Sequence, residues 1–273
     1  MKQLFYIKPI ENGSGGQQVL SMRLGAHHFS FAITAKEGLP LFSLAYYSSD
    51  EINADALGAI YVQHSELHGQ FTEIQLCYDN PESILLPGDY IDGDTGKTLL
   101  RTMYGSTGGS SVALESVSQW NLRNIYAIPN DVSEWLNRVF PNYKQYHRYS
   151  IALQLMPADS ADHVLIDFAP EEFSFVVLKE NKIVIAQTLA YTTPEDILYY
   201  LLKTCNQFSL SRGEVQLFIS GMIEKESQLF RELYLYFLNV SFREPTWNIP
   251  DGAENGYPAH FFTSLNDLAR CAS

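Results

Sequence analysis

The feature that most constrains the fold of this chain is an internal repeat. Short segments from the first half of the sequence recur, in the same order, in the second half. The matched blocks are FSFAI (29–33) with FSFVV (173–177), LAYYSSDE (44–51) with LAYTTPED (189–196), and EIQLCYD (73–79) with EVQLFIS (214–220). The offset between the copies is nearly constant, and connecting loops can absorb the small differences. The repeat therefore predicts two similar halves.

The second half predicts a definite order of elements. Three β-branched or aromatic runs separated by turn-like residues predict a meander of three strands, at 163–169, 172–179 and 183–191. Thr192 or Thr193 can cap a following helix, and Pro194 suits its first turn. A strand at 214–220, a helix from about 224 to 236 and a strand at 238–242 complete the half.

The first half predicts the same plan with an interruption. Its elements are strands at 20–25, 29–35 and 41–47, a helix from Glu51 capped by Ser48 or Ser49, and a strand at 71–78. Residues 79–120, with a glycine-rich run at 105–111, predict insertions or mobile connections. The segment NIYAIP (124–129) and a helix that starts at Asn130 or Asp131 restore the plan. The predicted domains are 1–150, with insertions at about 79–120, and 151–273, with a C-terminal helix.

Charge and hydropathy exclude several classes of function. With 31 acidic and 18 basic side chains the net charge is −13, and such a field repels nucleic acid and anionic membranes. No apolar run approaches the roughly 20 residues that span a bilayer. The first residues also lack the apolar core of a secretion signal. We therefore expect a soluble, cytoplasmic protein with no nucleic-acid partner and no membrane insertion.

The order of three strands, helix, strand, helix and strand, present twice, resembles the ribonuclease-H-like half-domain of the actin, sugar-kinase and heat-shock-chaperone superfamily. The resemblance covers most of residues 18–245, and the sequence is most similar to an uncharacterised bacterial family of unknown function with an actin-like ATPase fold. The closing helix, at 259–271, fits that family as well. The resemblance implies an α/β protein with a duplicated ribonuclease-H-like fold, in which two similar halves surround a cleft.

The resemblance also implies where ATP would bind. In this superfamily the phosphates are held by one turn in each half, and each turn carries an acidic residue followed two positions later by glycine. The first half aligns Arg23 and Gly25 with these positions, and the second half aligns Asp167 and Ala169. Each turn therefore keeps one of its two expected residues.

A third superfamily turn, which contacts adenosine, normally has two glycines, and here it offers Ser220 and Gly221. The candidate cleft positions are thus Arg23, Gly25, Asp167, Ser220 and Gly221. Arg23 cannot organise a metal ion, although an arginine can bind phosphate directly. We therefore expect a degenerate, non-hydrolysing binding or scaffold protein without a cofactor and with a protein partner of unknown identity. The alternative is an ATPase that uses ATP and Mg²⁺. If the two turns face each other, Arg23 and Asp167 would attract across the cleft.

Three other patterns are weaker. Gly96-Lys97-Thr98 matches the end of a P-loop, but the first glycine of that motif is replaced by Ile91. His64 and His68 have a spacing that suits a metal ion, but a third ligand is not evident, so no metal site is predicted. Tyrosines recur at three-residue intervals at 143, 146 and 149. They predict either a packing stripe between domains or a patch that binds a partner.

Overall fold

The computed structural model describes residues 1–8, 17–36, 39–88, 93–105, 108–157, 159, 161–247 and 256–271. The chain forms two compact units. The first comprises Met1–Gln154, Thr246–Glu254 and Leu265–Ser273, and the second comprises Leu155–Pro245 and Asn255–Ser264. The predicted domains, 1–150 and 151–273, stay a prediction.

The first unit is built around a six-stranded sheet. Its strands, in sheet order, are β1 (Lys2–Ile7), β4 (Leu41–Ser48), β3 (His28–Ala35), β2 (Gln18–Leu24), β5 (Glu73–Tyr78) and β9 (Lys144–His147). The first four strands pair antiparallel, whereas β5 runs parallel to β2 and β9 runs parallel to β5. Its helices are α1 (Ala54–Gln63), α3 (Asn130–Val139) and α4 (Arg148–Gln154).

Alternation along the strands places one sheet face against the helices. Leu20, Met22 and Leu24 of β2 pack in one buried cluster with Leu57 of α1 and Leu136 of α3. The intervening residues of β2, including Arg23, lie on the other face and are buried as well. Burial of a strand on both faces is typical of the centre of an α/β sheet.

The interruption of the first half is a small domain-like insertion. It contains β6 (Ser83–Pro87), β7 (Ser110–Val117) and β8 (Leu122–Pro129), which pair antiparallel in the order β6-β8-β7, and helix α2 (Gly93–Tyr104). Gly96-Lys97-Thr98 lies inside α2. Of the two alternatives for residues 79–120, insertions or mobile connections, the described part of the segment fits an insertion, because β6 and β7 both pair with β8.

The second unit has the predicted element order. Its elements are β10 (His163–Phe168), β11 (Glu172–Lys179), β12 (Lys182–Ala190), α5 (Pro194–Phe208), β13 (Gln216–Gly221), α6 (Gln228–Tyr236) and β14 (Asn239–Phe242). Its sheet has the order β12-β11-β10-β13-β14. This is the order of β4-β3-β2-β5-β9 in the first unit. The predicted fold class, a duplicated ribonuclease-H-like α/β fold, is confirmed. A last helix, α7 (Thr263–Arg270), follows near the C-terminus.

The start of helix α1 differs from the prediction. Helix α1 begins at Ala54 with Asn53 as its cap, not at Glu51 with a serine cap. The backbone N–H groups of the preceding segment bond to the turn between β2 and β3, since Ser49 N donates to His27 O and Ile52 N donates to Ala26 O. Helix α5, in contrast, starts at Pro194 with a capping box between Thr193 and Asp196, as its sequence indicates.

The tyrosines at 143, 146 and 149 do not share a helical face. Tyr146 lies in β9, which the sequence did not predict, and Tyr149 lies in α4, where it is buried. Tyr143 packs against the core of the first unit. The helices in the described part of the chain include none that is long and apolar enough to cross a membrane.

Candidate functional site

A buried ion cluster occupies the first of the two predicted phosphate turns. Arg23 Nη2 lies 2.6 Å from Asp79 Oδ2, and Arg148 Nη2 lies 3.1 Å from the same oxygen. His28 Nε2 lies 2.9 Å from it. The side chain of Asp79 is 0% exposed, and that of Arg23 is 8% exposed. Arg23 is therefore an internal side chain and not a surface charge.

The sheet register explains why these residues meet. Parallel pairing sets Arg23 opposite Cys77 and Leu24 opposite Tyr78, and Asp79 N then donates to Leu24 O at 2.7 Å. Asp79 is thus the first residue beyond β5. Arg148 follows β9, which runs parallel to β5, and His28 begins β3. The cluster therefore forms where the carboxyl ends of three parallel strands meet, which is the edge at which α/β sheets usually bind ligands.

The cluster fixes the charge of Asp79. Burial alone would raise the pKa of this carboxyl, but Arg148, Arg23 and the hydrogen bond from His28 hold it well below its usual value. Burial, together with the charge of Asp79, raises the pKa of the neighbouring Cys77 thiol well above its usual value. Asp79 is therefore a carboxylate at neutral pH, while Cys77 is a neutral thiol and a poor nucleophile.

Gly25 has a structural role beside this cluster. A Cβ atom at Gly25 would lie 2.7 Å from His28 Nδ1, which is closer than real Cβ contacts allow. Gly25 N donates to His28 O and closes the turn between β2 and β3. A larger residue would push the imidazole away from Asp79. Glycine at this turn is thus explained by the approach of His28.

In the second unit, the residue that corresponds to Arg23 is Asp167, and its carboxylate accepts hydrogen bonds from other protein groups. Asp167 lies in β10, opposite Ser220 of the parallel strand β13. Its Oδ1 accepts hydrogen bonds from Ser220 Oγ at 2.9 Å and from Ser264 Oγ at 2.6 Å. Ala169 N donates to Glu172 O and closes the turn between β10 and β11. Asp167 therefore ties β10 to β13 and to the start of α7.

Gly221 is required by a close approach of two backbones. Its φ is +83°, in the region that favours glycine, and a Cβ there would lie 2.6 Å from Phe168 N. The next residue, Met222, donates from its N–H to Phe168 O at 2.8 Å. The structure thus brings together Asp167, Ser220 and Gly221 in the second unit, and Arg23 and Gly25 in the first. The predicted attraction between Arg23 and Asp167 stays a prediction.

A cavity of about 300 Å³ opens beside Gly25, inside the first unit. Three carboxylates line it, those of Glu51, Glu82 and Asp131. They come from the connection before α1, the residue before β6 and the first turn of α3. The buried side chain of Asn80 also lines the cavity. The lining is therefore acidic, and it is formed jointly by the main sheet, its helices and the insertion.

His64 and His68 do not lie on one helix. Helix α1 ends at Gln63, and His68 lies in a separate 3₁₀ turn. His64 Nδ1 lies 2.8 Å from Glu66 Oε1, its Nε2 lies 2.5 Å from the Tyr47 hydroxyl, and His68 Nε2 lies 2.9 Å from Tyr61 O. Both histidines are thus engaged by protein groups. Among the residues that the structure describes, no three His, Cys, Asp or Glu side chains are grouped so as to hold a metal ion.

The repeated sheet order and its paired turns define an actin-like ATPase fold. A Bacteroides thetaiotaomicron protein with that fold and unknown function has a TM-score of 0.76 at 17% identity, with 88% of this chain and 96% of that chain covered. The PilM-PilN type IV pilus biogenesis complex has a TM-score of 0.66 at 10% identity, with 93% and 98% covered. The ethanolamine utilization protein EutJ from Carboxydothermus hydrogenoformans has a TM-score of 0.50 at 9% identity, with 95% and 91% covered.

The particular family follows from the sequence. Residues 9–240 match the model of DUF3822, a family of proteins of unknown function, and the chain belongs to this family. The comparison with curated proteins finds no match.

Proposed function

We propose that this chain is a protein-binding or scaffold module that retains the actin-like ATPase fold without efficient ATP hydrolysis. The observation that carries the proposal is the ion pair between Arg23 and Asp79, at 2.6 Å, in the first phosphate turn. ATP hydrolysis needs a carboxylate near the phosphates to organise the metal ion and the attacking water. A buried guanidinium at that position repels a metal ion instead.

The surroundings of Gly25 support the same proposal. Glu51, Glu82 and Asp131 line the cavity at this turn. Their negative charges repel the phosphates of a nucleotide, because like charges at short range are unfavourable. In the second turn, Asp167 accepts hydrogen bonds from two serine hydroxyls. Pro170 follows Ala169 in the sequence and removes a backbone N–H that could bind a phosphate.

A protein partner is consistent with a fold that also occurs in the PilM-PilN complex, in which one protein of that fold class was solved with another. The net charge of −13 disfavours nucleic acid as the partner. We place the protein in the bacterial cytoplasm. The retained Asp167 is the feature that favours the alternative, an ATPase that uses ATP and Mg²⁺.

Phosphate release and calorimetry test the proposal. Wild-type protein is incubated with Mg²⁺ and ATP, and inorganic phosphate is measured beside an Asp167→Asn variant as control. We expect the same background rate for both proteins and no heat of ATP binding in the micromolar range. Mg²⁺-dependent phosphate release that disappears in Asp167→Asn would establish the ATPase and refute the scaffold function.

A further inference from the structure

We propose that the acidic cavity of the first unit binds a lysine or arginine side chain presented by a segment of a partner protein. This rests on the proposed binding function and names the chemistry of the partner. The site comprises Glu51, Glu82 and Asp131 with Asn80 and Tyr104, and we call it the cation pocket.

The carboxylates of the cation pocket have few internal partners. Asp131 Oδ2 accepts from Ala54 N at 3.2 Å, which attaches it to the start of α1. The side chains of Glu51 and Glu82 make no hydrogen bond or ion pair to another residue in the described ranges. Negative charges that line one cavity attract a cation that enters it. The pocket is therefore complementary to a positive charge.

A second and independent feature is the amide of Asn80. This residue is 8% exposed, and its Nδ2 donates to Ala127 O at 3.0 Å. Within the described chain its Oδ1 has no hydrogen bond, although the residue lines the cavity. An amide oxygen that lines a cavity can accept a hydrogen bond from a donor that enters the cavity. An ammonium or guanidinium group supplies such a donor, whereas a carboxylate or phosphate does not.

Tyr104 and the apolar lining suit the rest of a long cationic side chain. The Tyr104 hydroxyl donates to Ser83 O at 2.9 Å, which fixes the position of a ring that is 42% exposed. An aromatic ring at the rim of an acidic cavity attracts a cation through its π face. Leu24, Ile52 and Val132 also line the cavity and can contact the methylene groups of lysine or arginine.

The size of the cavity points to a side chain. Pockets that enclose small-molecule ligands span roughly 300 to 1,000 Å³, and this cavity, at about 300 Å³, is at the lower limit. It can hold one long side chain, and the rest of the partner segment would lie outside it. The net charge of −13 also attracts a basic segment over a distance and accelerates its association.

The test is an NMR titration of the ¹⁵N-labelled protein with three peptides. The first is a flexible glycine–serine peptide with one arginine, the second has lysine instead, and the third has citrulline, the neutral isostere of arginine. We expect saturable shift changes at Gly25 and Tyr104 with arginine or lysine at up to about millimolar peptide. We expect no such changes with citrulline, and weaker binding at higher salt.

Matched variants locate the site. Glu51→Gln combined with Glu82→Gln is expected to weaken binding of the cationic peptides about tenfold or more, because both carboxylates lose their charge. Glu134→Gln is the control for loss of a negative charge outside the cavity, since Glu134 is an exposed residue of α3 that does not line the cavity. All variants are first checked for an unchanged unfolding temperature.

Three outcomes overturn the proposal: binding of citrulline as strong as that of arginine, an equal loss with Glu134→Gln, or no shift changes with either cationic peptide. Phosphate release measured on the same preparation separates the two proposals. If neither peptide binding nor ATP hydrolysis is observed, the cation pocket is refuted but the scaffold function is not. Peptide binding together with Asp167-dependent hydrolysis keeps the pocket and refutes the scaffold function.

Discussion

At the scale of single residues, Asp79 is the centre of the buried ion cluster of the first unit, although the sequence did not mark it as functional. Two arginines and a histidine converge on its carboxylate. We expect Asp79→Asn to lower the free energy of unfolding by about 3–5 kcal/mol, because it leaves two buried guanidinium groups with less compensation. Urea denaturation measures this effect, and Asp94→Asn, at a residue whose side chain is 97% exposed, is the control.

The same carboxylate predicts a pH dependence. Because the pKa of Asp79 is lowered well below its usual value, its contribution to stability is complete above the usual pKa of about 4. The contribution is lost as pH falls below that value. The wild type should therefore lose more stability than Asp79→Asn as pH falls below about 4. Parallel loss in the two proteins would contradict this assignment.

Glu115 predicts a dependence of the opposite sign. Burial raises its pKa to about 7, despite hydrogen bonds from Ser150 and from His147 N. Its favourable contribution is complete below about 4.5 and is lost as pH rises through about 7. Glu115→Gln should therefore gain stability relative to wild type between pH 5 and pH 8, by up to about 3 kcal/mol. Chemical denaturation at the two pH values measures the difference.

At the scale of elements, the edge strand β1 is attached through a buried polar network. Glu66 Oε1 accepts from the Tyr6 hydroxyl at 3.0 Å and from Ser43 Oγ at 3.3 Å, and it lies 2.8 Å from His64 Nδ1. Tyr47, hydrogen-bonded to His64, also donates to Gln3 Oε1 at 2.8 Å. Two side chains of β1, Gln3 and Tyr6, are thus held through one network.

We expect Glu66→Gln to loosen β1 specifically. The glutamine lacks the negative charge that strengthens these hydrogen bonds, so stability should fall by about 1–3 kcal/mol. Amide hydrogen exchange should accelerate in Lys2–Ile7, while β10 and β13 of the second unit keep wild-type rates. Unchanged exchange in β1 would show that the backbone pairing with β4 suffices to hold it.

The elements also show what the sequence could predict. The second unit was predictable, because each apolar run is bounded by turn residues and α5 begins with a strong capping signal. Strand β9 was missed because KQYH is short and polar and is recognisable only by its pairing with β5. The start of α1 was misplaced because Ser48 and Ser49 resemble caps, whereas hydrogen bonds to a distant turn keep this segment extended.

At the scale of the whole molecule, the repeat predicted the fold but not the site. Arg23 and Gly25 were singled out by the resemblance to the phosphate turns of the superfamily, yet the partners that define their roles are Asp79, His28 and Arg148. Asp79 and Arg148 are distant from Arg23 in sequence and meet it only when β2, β5 and β9 pair in parallel. One signal was available, since Asp79 follows a predicted strand at the edge where carboxyl ends meet.

The Arg23–Asp79 pair has a consequence for the evolutionary history of this fold. A single replacement of Arg23 by aspartate would place two buried carboxylates side by side, which raises the cost of ionising either of them. A replacement of Asp79 alone would remove the partner of two buried arginines. Each single step toward an acidic first turn therefore passes through a less stable protein, and the two positions are epistatic. Once both residues are present, the stability lost on replacing either one alone opposes a return to an acidic first turn.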